Sequence, residues 1–191
     1  FRMGISLEPQ NYSKIKQIFE SFVCKIFDFW FKSDMNKTIL LLEFDPSTYG
    51  DLLTELSKYK KNILIYNRRK PAIWNMSSIK TLHKTKSKLF NFKKLEFQFK
   101  KQISSLTNNY LNELEKVWQN KDIENFFQIE SSSFWYCIKD ELLNVYRRRL
   151  SEYISLLLIS KNLLEKIDVS CILSSNLVGE TEKSVLSMNN Q

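Results

Sequence analysis

Three groups of polar residues follow short apolar runs in this chain, and together they hold the means to bind an anion and to move a proton. Glu43 and Asp45 close the run Thr38-Ile-Leu-Leu-Leu-Glu-Phe44. Asn67, Arg68, Arg69 and Lys70 follow Asn62-Ile-Leu-Ile-Tyr66. Ser174, Ser175 and Asn176 follow Val169-Ser-Cys-Ile-Leu173. A carboxylate such as Glu43 or Glu180 can deprotonate an attacking hydroxyl. Two arginines beside a lysine can chelate phosphate or carboxylate, arginine offering a bidentate fork. Glu43 can equally form an ion pair with one of those arginines at a sheet rim. Gly179-Glu180-Thr181 opens a helical pattern whose free N–H groups favour an anion, unless Glu180 itself fills that end. In the loop Pro71-Ala-Ile-Trp-Asn75, Trp74 is either a stacking surface for a sugar or base or a ring buried under the loop.

These residues converge only if the runs are parallel strands. Residues 38–44 and 62–66 are continuous apolar stretches of the kind buried on both faces of a parallel sheet. The stretch from Pro46 to about Tyr59, with Leu52, Leu53 and Leu56 on one side, has the length of a short crossover helix. Residues 77–85 predict another helix, 88–92 a third strand and 169–174 a fourth, with the first strand central. The carboxyl ends of such strands lie on one edge, where ligands of open α/β sheets bind. Two long helical patterns, at about 94–119 and 132–166, span roughly 40 and 50 Å. They predict a helical hairpin inserted at about 94–166, before the last strand.

Ahead of the sheet, residues 12–32 place Ile15, Ile18, Phe19, Phe22, Val23, Ile26, Phe27 and Trp30 on one helical face. That face suits an in-plane membrane helix or packing on the rest of the protein. The division expected is an N-terminal amphipathic helix over 1–36 and an α/β domain over 37–191. The final helical pattern still runs at Gln191, which predicts a continuation into a second domain.

The 191 residues are 43% hydrophobic, enough for one substantial core, and the net charge is +8. Residues 58–101 hold 14 Lys/Arg and one acid, so this segment carries the whole positive excess and implies an anionic partner. Cys24, Cys137 and Cys171 lie far apart, His83 is the sole histidine, and a zinc site is not expected; the thiols suit a reducing cytoplasm. No Walker loop, G-x-G-x-x-G, G-x-S-x-G or H-E-x-x-H occurs.

Ile39-Leu-Leu-Leu-Glu-Phe-Asp-Pro46, Asn67-Arg-Arg-Lys-Pro-Ala-Ile-Trp-Asn75 and Ile172-Leu-Ser-Ser-Asn-Leu-Val-Gly-Glu-Thr-Glu-Lys183 together resemble the N-terminal half of GT-B-type glycosyltransferases of surface and capsule polysaccharide synthesis, in the neighbourhood of polyglycerolphosphate polymerase-like proteins. The resemblance spans most of residues 37–190. It implies a Rossmann-like acceptor-side domain, truncated before the domain that holds a nucleotide-sugar donor; the lysines of 58–101 separately predict diffuse attraction to the anionic inner face of the membrane. The acceptor would be a glycan or a lipid-linked chain, no cofactor would belong to this part, and no catalytic residue carries over. The positions implied to face the cleft are Glu43, Asp45, Arg68, Arg69, Ser174, Asn176 and Glu180. Two other readings of the residues stay open: a nucleic-acid-binding module using 58–101, and a non-catalytic helical scaffold built on 94–166.

Overall fold

The computed structural model describes residues 9–30, 37–130, 132–176 and 178–189. They form a mixed α/β protein around a four-stranded, wholly parallel sheet in the order β3-β2-β1-β6. The elements run α1 (Pro9–Trp30), β1 (Thr38–Leu42), α2 (Gly50–Leu56), β2 (Asn62–Tyr66), α3 (Met76–Thr85), β3 (Lys88–Leu89), α4 (Phe92–Trp118), α5 (Lys121–Phe126), β4 (Gln128–Ile129), β5 (Ser132–Ser133), α6 (Trp135–Lys166), β6 (Val169–Ser174) and α7 (Glu180–Asn189).

The chain divides into two compact units. One comprises the described residues up to Leu95 together with those from Ser160 onward; the other is Glu96–Ile159. In the first, β1 is interior and buried on both faces, with Leu40, Leu41 and Leu42 wholly inaccessible. Its register sets Ile39 beside Ile63 and Leu41 beside Ile65 on one flank, and Leu40 beside Ile172 on the other. Leu53 of α2, Leu82 of α3, and Ala72 and Ile73 of the loop between β2 and α3 belong to this core. Parallel pairing thus follows from apolar runs too short and too uniform for anything but the middle of a covered sheet.

Three boundaries differ from the sequence expectation. The first strand stops at Leu42 because Glu43 turns into the left-handed region, at φ 59°. The third strand is Lys88–Leu89 rather than 88–92. Phe90 still donates its N–H to the Ile65 carbonyl, but Asn91 accepts the N–H of Lys94 and so caps α4, which begins at Phe92. The expected helix from Pro46 is a turn at 46–49 followed by α2.

Helix α1 belongs to the first unit and buries only part of the apolar face expected of it, with Val23 in the core and Ile26 packed against it. Val23, Cys24 and Glu20 are the buried positions, whereas Ile15, Ile18, Phe19 and Phe22 are exposed. The expected contributions of Phe27 and Trp30 fall on side chains outside the described residues. Among the described residues, no helix is long and apolar enough to cross a membrane.

The second unit is the inserted hairpin. Its two long arms are antiparallel: Glu115 of α4 meets Arg147 of α6 at 2.7 Å, and Ser155 donates to Glu96 at 3.1 Å. The turn is more elaborate than the sequence reading of two helices. It contains α5, capped by Asn120, and the antiparallel pair β4–β5.

Because β1 is the covered centre, truncating Leu41 should cost about 3 kcal/mol. The check is chemical denaturation of Leu41→Ala beside Leu157→Ala, a half-exposed position in the hairpin expected to cost under ~1 kcal/mol. Equal losses would mean that β1 is not the central strand.

Candidate ligand cleft at the carboxyl edge of the sheet

Glu43 is the residue around which this edge is assembled. Its Oε1 accepts the backbone N–H groups of Arg68 at 2.9 Å and Arg69 at 3.2 Å, and the Thr181 hydroxyl at 3.0 Å. Its own N–H donates to the Tyr66 carbonyl, and its carbonyl accepts the Ser175 hydroxyl at 2.9 Å. One residue therefore ties the ends of β1, β2 and β6 to the first turn of α7. A non-glycine residue at positive φ costs of order 1–3 kcal/mol and persists only where its surroundings hold it. Here three donors to a nearly inaccessible carboxylate do so.

Arg69 extends the clamp. Its Nη2 pairs with Glu182 Oε1, and its Nε lies 3.8 Å from Glu43 Oε1. Glu182 is completely buried, and its Oε2 meets no hydrogen-bond donor among the described residues. Gly179 makes this approach possible. A Cβ there would collide with the Glu182 carboxylate and come within 2.9 Å of the Arg69 guanidinium carbon. The glycine is required by close packing, since no described glycine has a positive φ.

Beside this clamp opens a cleft of about 650 Å³ lined by Glu43, Asp45, Tyr49, Asn67, Arg69, Lys70, Pro71, Trp74, Ser175 and Asn176. Asp45 shapes one wall: its carboxylate accepts the Ser47 N–H and hydroxyl and the Thr48 hydroxyl, fixing the turn that carries Tyr49. Asn67 fixes another by donating its amide to the Phe44 carbonyl at 2.8 Å. The Trp74 wall is held from α1, where Lys16 donates to the Trp74 carbonyl at 2.7 Å and Glu20 accepts the Ala72 N–H at 2.7 Å. Lys70 is exposed in the cleft and forms no ion pair among the described residues, so its charge is available to a ligand.

Of the residues expected to face a cleft, Glu43, Asp45, Arg69 and Asn176 line this one. Arg68 does not: its guanidinium lies over the Phe92 ring, 5.8 Å from the centroid. Ser174 donates its hydroxyl to the Asn176 carbonyl and shapes the loop instead. Glu180 begins α7 outside the lining. Sequence reasoning missed Glu182, Thr181 and the role of Glu20. The usable signal for Glu182 was its spacing three residues after Gly179, one helical turn from a position whose missing Cβ leaves room for its carboxylate. Among the described residues, no group of three His, Cys, Asp or Glu side chains could hold a metal.

Chemically, the arrangement offers one unpaired lysine, one partly shared arginine, two aromatic rings and several amide and hydroxyl groups. The Glu43 and Asp45 carboxylates line the same cleft, so cationic, anionic and aromatic groups meet there. Glu43 is occupied as an acceptor of three hydrogen bonds, which suits a structural clamp more than a proton carrier. Comparison with protein-family models, with curated proteins and with solved structures returned no significant match.

The clamp predicts asymmetric mutational costs. Arg69→Ala strands the Glu182 carboxylate in the interior and should destabilise by about 3 kcal/mol. Adding Glu182→Gln should recover part of that loss in thermal or urea unfolding. Strictly additive losses would show that the two side chains are not coupled.

Glu20 makes a pH prediction. Burial pushes its carboxyl up from 4.5 to about 7, against the lowering effect of the Ala72 and Ile73 N–H groups and with a further push from the Glu43 charge. A carboxyl raised in the folded state holds more protons folded than unfolded between pH 4.5 and about 7. Stability should therefore fall as pH rises across that window, by about 3 kcal/mol in all, and level off above it. Glu20→Gln keeps an oxygen for Ala72 and should remove the slope. An identical slope in the variant would assign the pH dependence elsewhere.

Proposed function

We propose that this chain is the acceptor-side, Rossmann-like domain of a nucleotide-sugar-dependent glycosyltransferase that builds cell-surface polysaccharide, with the carboxyl-edge cleft as its acceptor site. The observation that carries the reading is that all three segments resembling those enzymes contribute to one site: Glu43 and Asp45 from the first, Asn67, Arg69, Lys70, Pro71 and Trp74 from the second, and Ser175 and Asn176 from the third line the cleft, and Thr181 and Glu182 brace it. The ligand would be a glycan or lipid-linked acceptor bearing phosphate. Lys70 and Arg69 would meet its charge, and the Tyr49 and Trp74 rings would meet its sugar faces. In the reaction, an acceptor hydroxyl displaces the nucleotide at the anomeric carbon of the donor sugar. The donor would be held by a domain that the resemblance implies beyond this chain, so this chain supplies binding rather than turnover.

The exposed stripe Ile15, Ile18, Phe19 and Phe22 on α1, in a protein whose basic excess lies in 58–101, supports a further part of the reading. The first unit would rest against the anionic inner face of the cytoplasmic membrane, where each nearby lysine contributes on the order of 1 kcal/mol.

The test is calorimetric titration of the purified chain with glycerol 3-phosphate and glucose 1-phosphate near physiological salt, alongside incubation with nucleotide sugars. Lys70→Ala should weaken phosphate-ester binding about tenfold, while Lys80→Ala with Lys84→Ala, outside the cleft, should change little. No sugar transfer or nucleotide-sugar hydrolysis is expected. Equal losses from both variants, or tighter salt-dependent binding of RNA carried by Lys80 and Lys84, would replace this reading with diffuse charge or a nucleic-acid module.

A further inference from the structure

The tip of the inserted hairpin holds a second pocket, of about 720 Å³, that the proposed function does not use. We propose that it binds a small quaternary ammonium compound. Its walls include Trp118, Phe126, Phe127, Trp135 and Tyr146, and its one charged lining residue is Asp122. The volume falls in the range of small-molecule sites.

The rings form a faceted wall. Trp118 meets Tyr146 at 75° and Trp135 at 46°, with centroids 5.4 and 5.6 Å apart. Phe127 stacks on Trp135 at 5.0 Å, which fixes the Trp135 plane, and Trp135 is itself buried. The Trp118 indole N–H is already directed at the Lys139 carbonyl, at 3.4 Å, so it is the ring system rather than its polar edge that meets the pocket. Phe126 stands 83% exposed, an aromatic ring left to solvent at the pocket's margin.

Charge selects among possible occupants. Residues 113–149, which span the pocket lining, carry seven acids and six bases, so the local charge depends on which acids are paired. Glu113, Glu115 and Glu141 are paired with Lys116, Arg147 and Arg148. Asp122 has no ion pair among the described residues, and Asn120, not Asp122, caps the start of α5. An anion would meet this carboxylate and the negative faces of the rings. A neutral apolar molecule would have no use for the carboxylate. A primary ammonium would surrender three strong hydrogen bonds to water. A quaternary ammonium has no N–H to satisfy, and its positive methyl shell fits the faces of aromatic rings. The inference is independent of the function proposed for the cleft, which lies wholly in the other unit.

The experiment is titration of the full chain with choline chloride and with its uncharged isostere 3,3-dimethylbutan-1-ol, read by calorimetry and ligand-observed NMR. Choline should bind at least tenfold more tightly than the alcohol. Tyr146→Leu, at a half-exposed helical position, should weaken choline fivefold or more and leave the alcohol unchanged. Asp122→Asn, on an exposed side chain, should weaken choline threefold or more. Circular dichroism of both variants should match the parent. Equal binding of choline and the alcohol, no choline binding up to 10 mM, or choline binding unmoved by both substitutions would each overturn the assignment.

Discussion

The carboxyl edge of the sheet depends on the Glu43 carboxylate. Backbone geometry there is unfavourable for a side chain, and local propensity alone would not choose it. The compensation comes from three donors contributed by residues distant in sequence: two successive amides after β2 and a hydroxyl in α7. Once the carboxylate is fixed, the amides of Arg68 and Arg69 are fixed with it. The two side chains then diverge, Arg68 to the Phe92 ring and Arg69 to Glu182. The cleft receives one arginine rather than two because the backbone between them is held by a single acceptor.

A second consequence concerns how charge is distributed within the first unit. Its basic excess is mostly at the surface, while Glu20, Glu43 and Glu182 lie inside or nearly so. Each buried acid is matched to donors: amides for Glu20, amides and a hydroxyl for Glu43, a guanidinium for Glu182. These acids hold backbone and side chains in place and consume part of the available positive charge. Lys70, which has no ion pair among the described residues, lines the cleft beside Arg69.

Much of the sheet was legible in the sequence because its strands are short, uniformly apolar and bounded by polar residues. The parallel arrangement, the central place of β1 and the position of the helical insertion followed from spacing alone. The end of β3 was misplaced because Asn91 was read as part of an apolar strand when it is a helix cap. The face of α1 was misread for a different reason. Hydrophobic periodicity assumes that the most apolar side of a helix is the buried one, yet here Glu20 accepts the Ala72 N–H and Lys16 donates to the Trp74 carbonyl, and the helix is turned so that only Val23 and Ile26 of the described apolar face pack on the core. The cleft was half legible. Strand ends announced Glu43, Asp45 and Arg69, but the divergence of Arg68 and the burial of Glu182 are tertiary facts with no periodic signature.

The order of the strands has a kinetic implication. β1, α2, β2, α3 and β3 are consecutive and can form from near-neighbour contacts, whereas β6 reaches β1 only after the whole hairpin has intervened. Closing so long a loop is entropically slow compared with local pairing. Thr181, Glu182 and Ser175 all arrive with that last segment, so the third donor to the Glu43 carboxylate and the carboxylate partner of Arg69 are missing until it docks. A chain halted before that step would have most of its sheet and helices but no finished cleft. The edge that carries the cleft is thus complete only when β6 and α7 are in place.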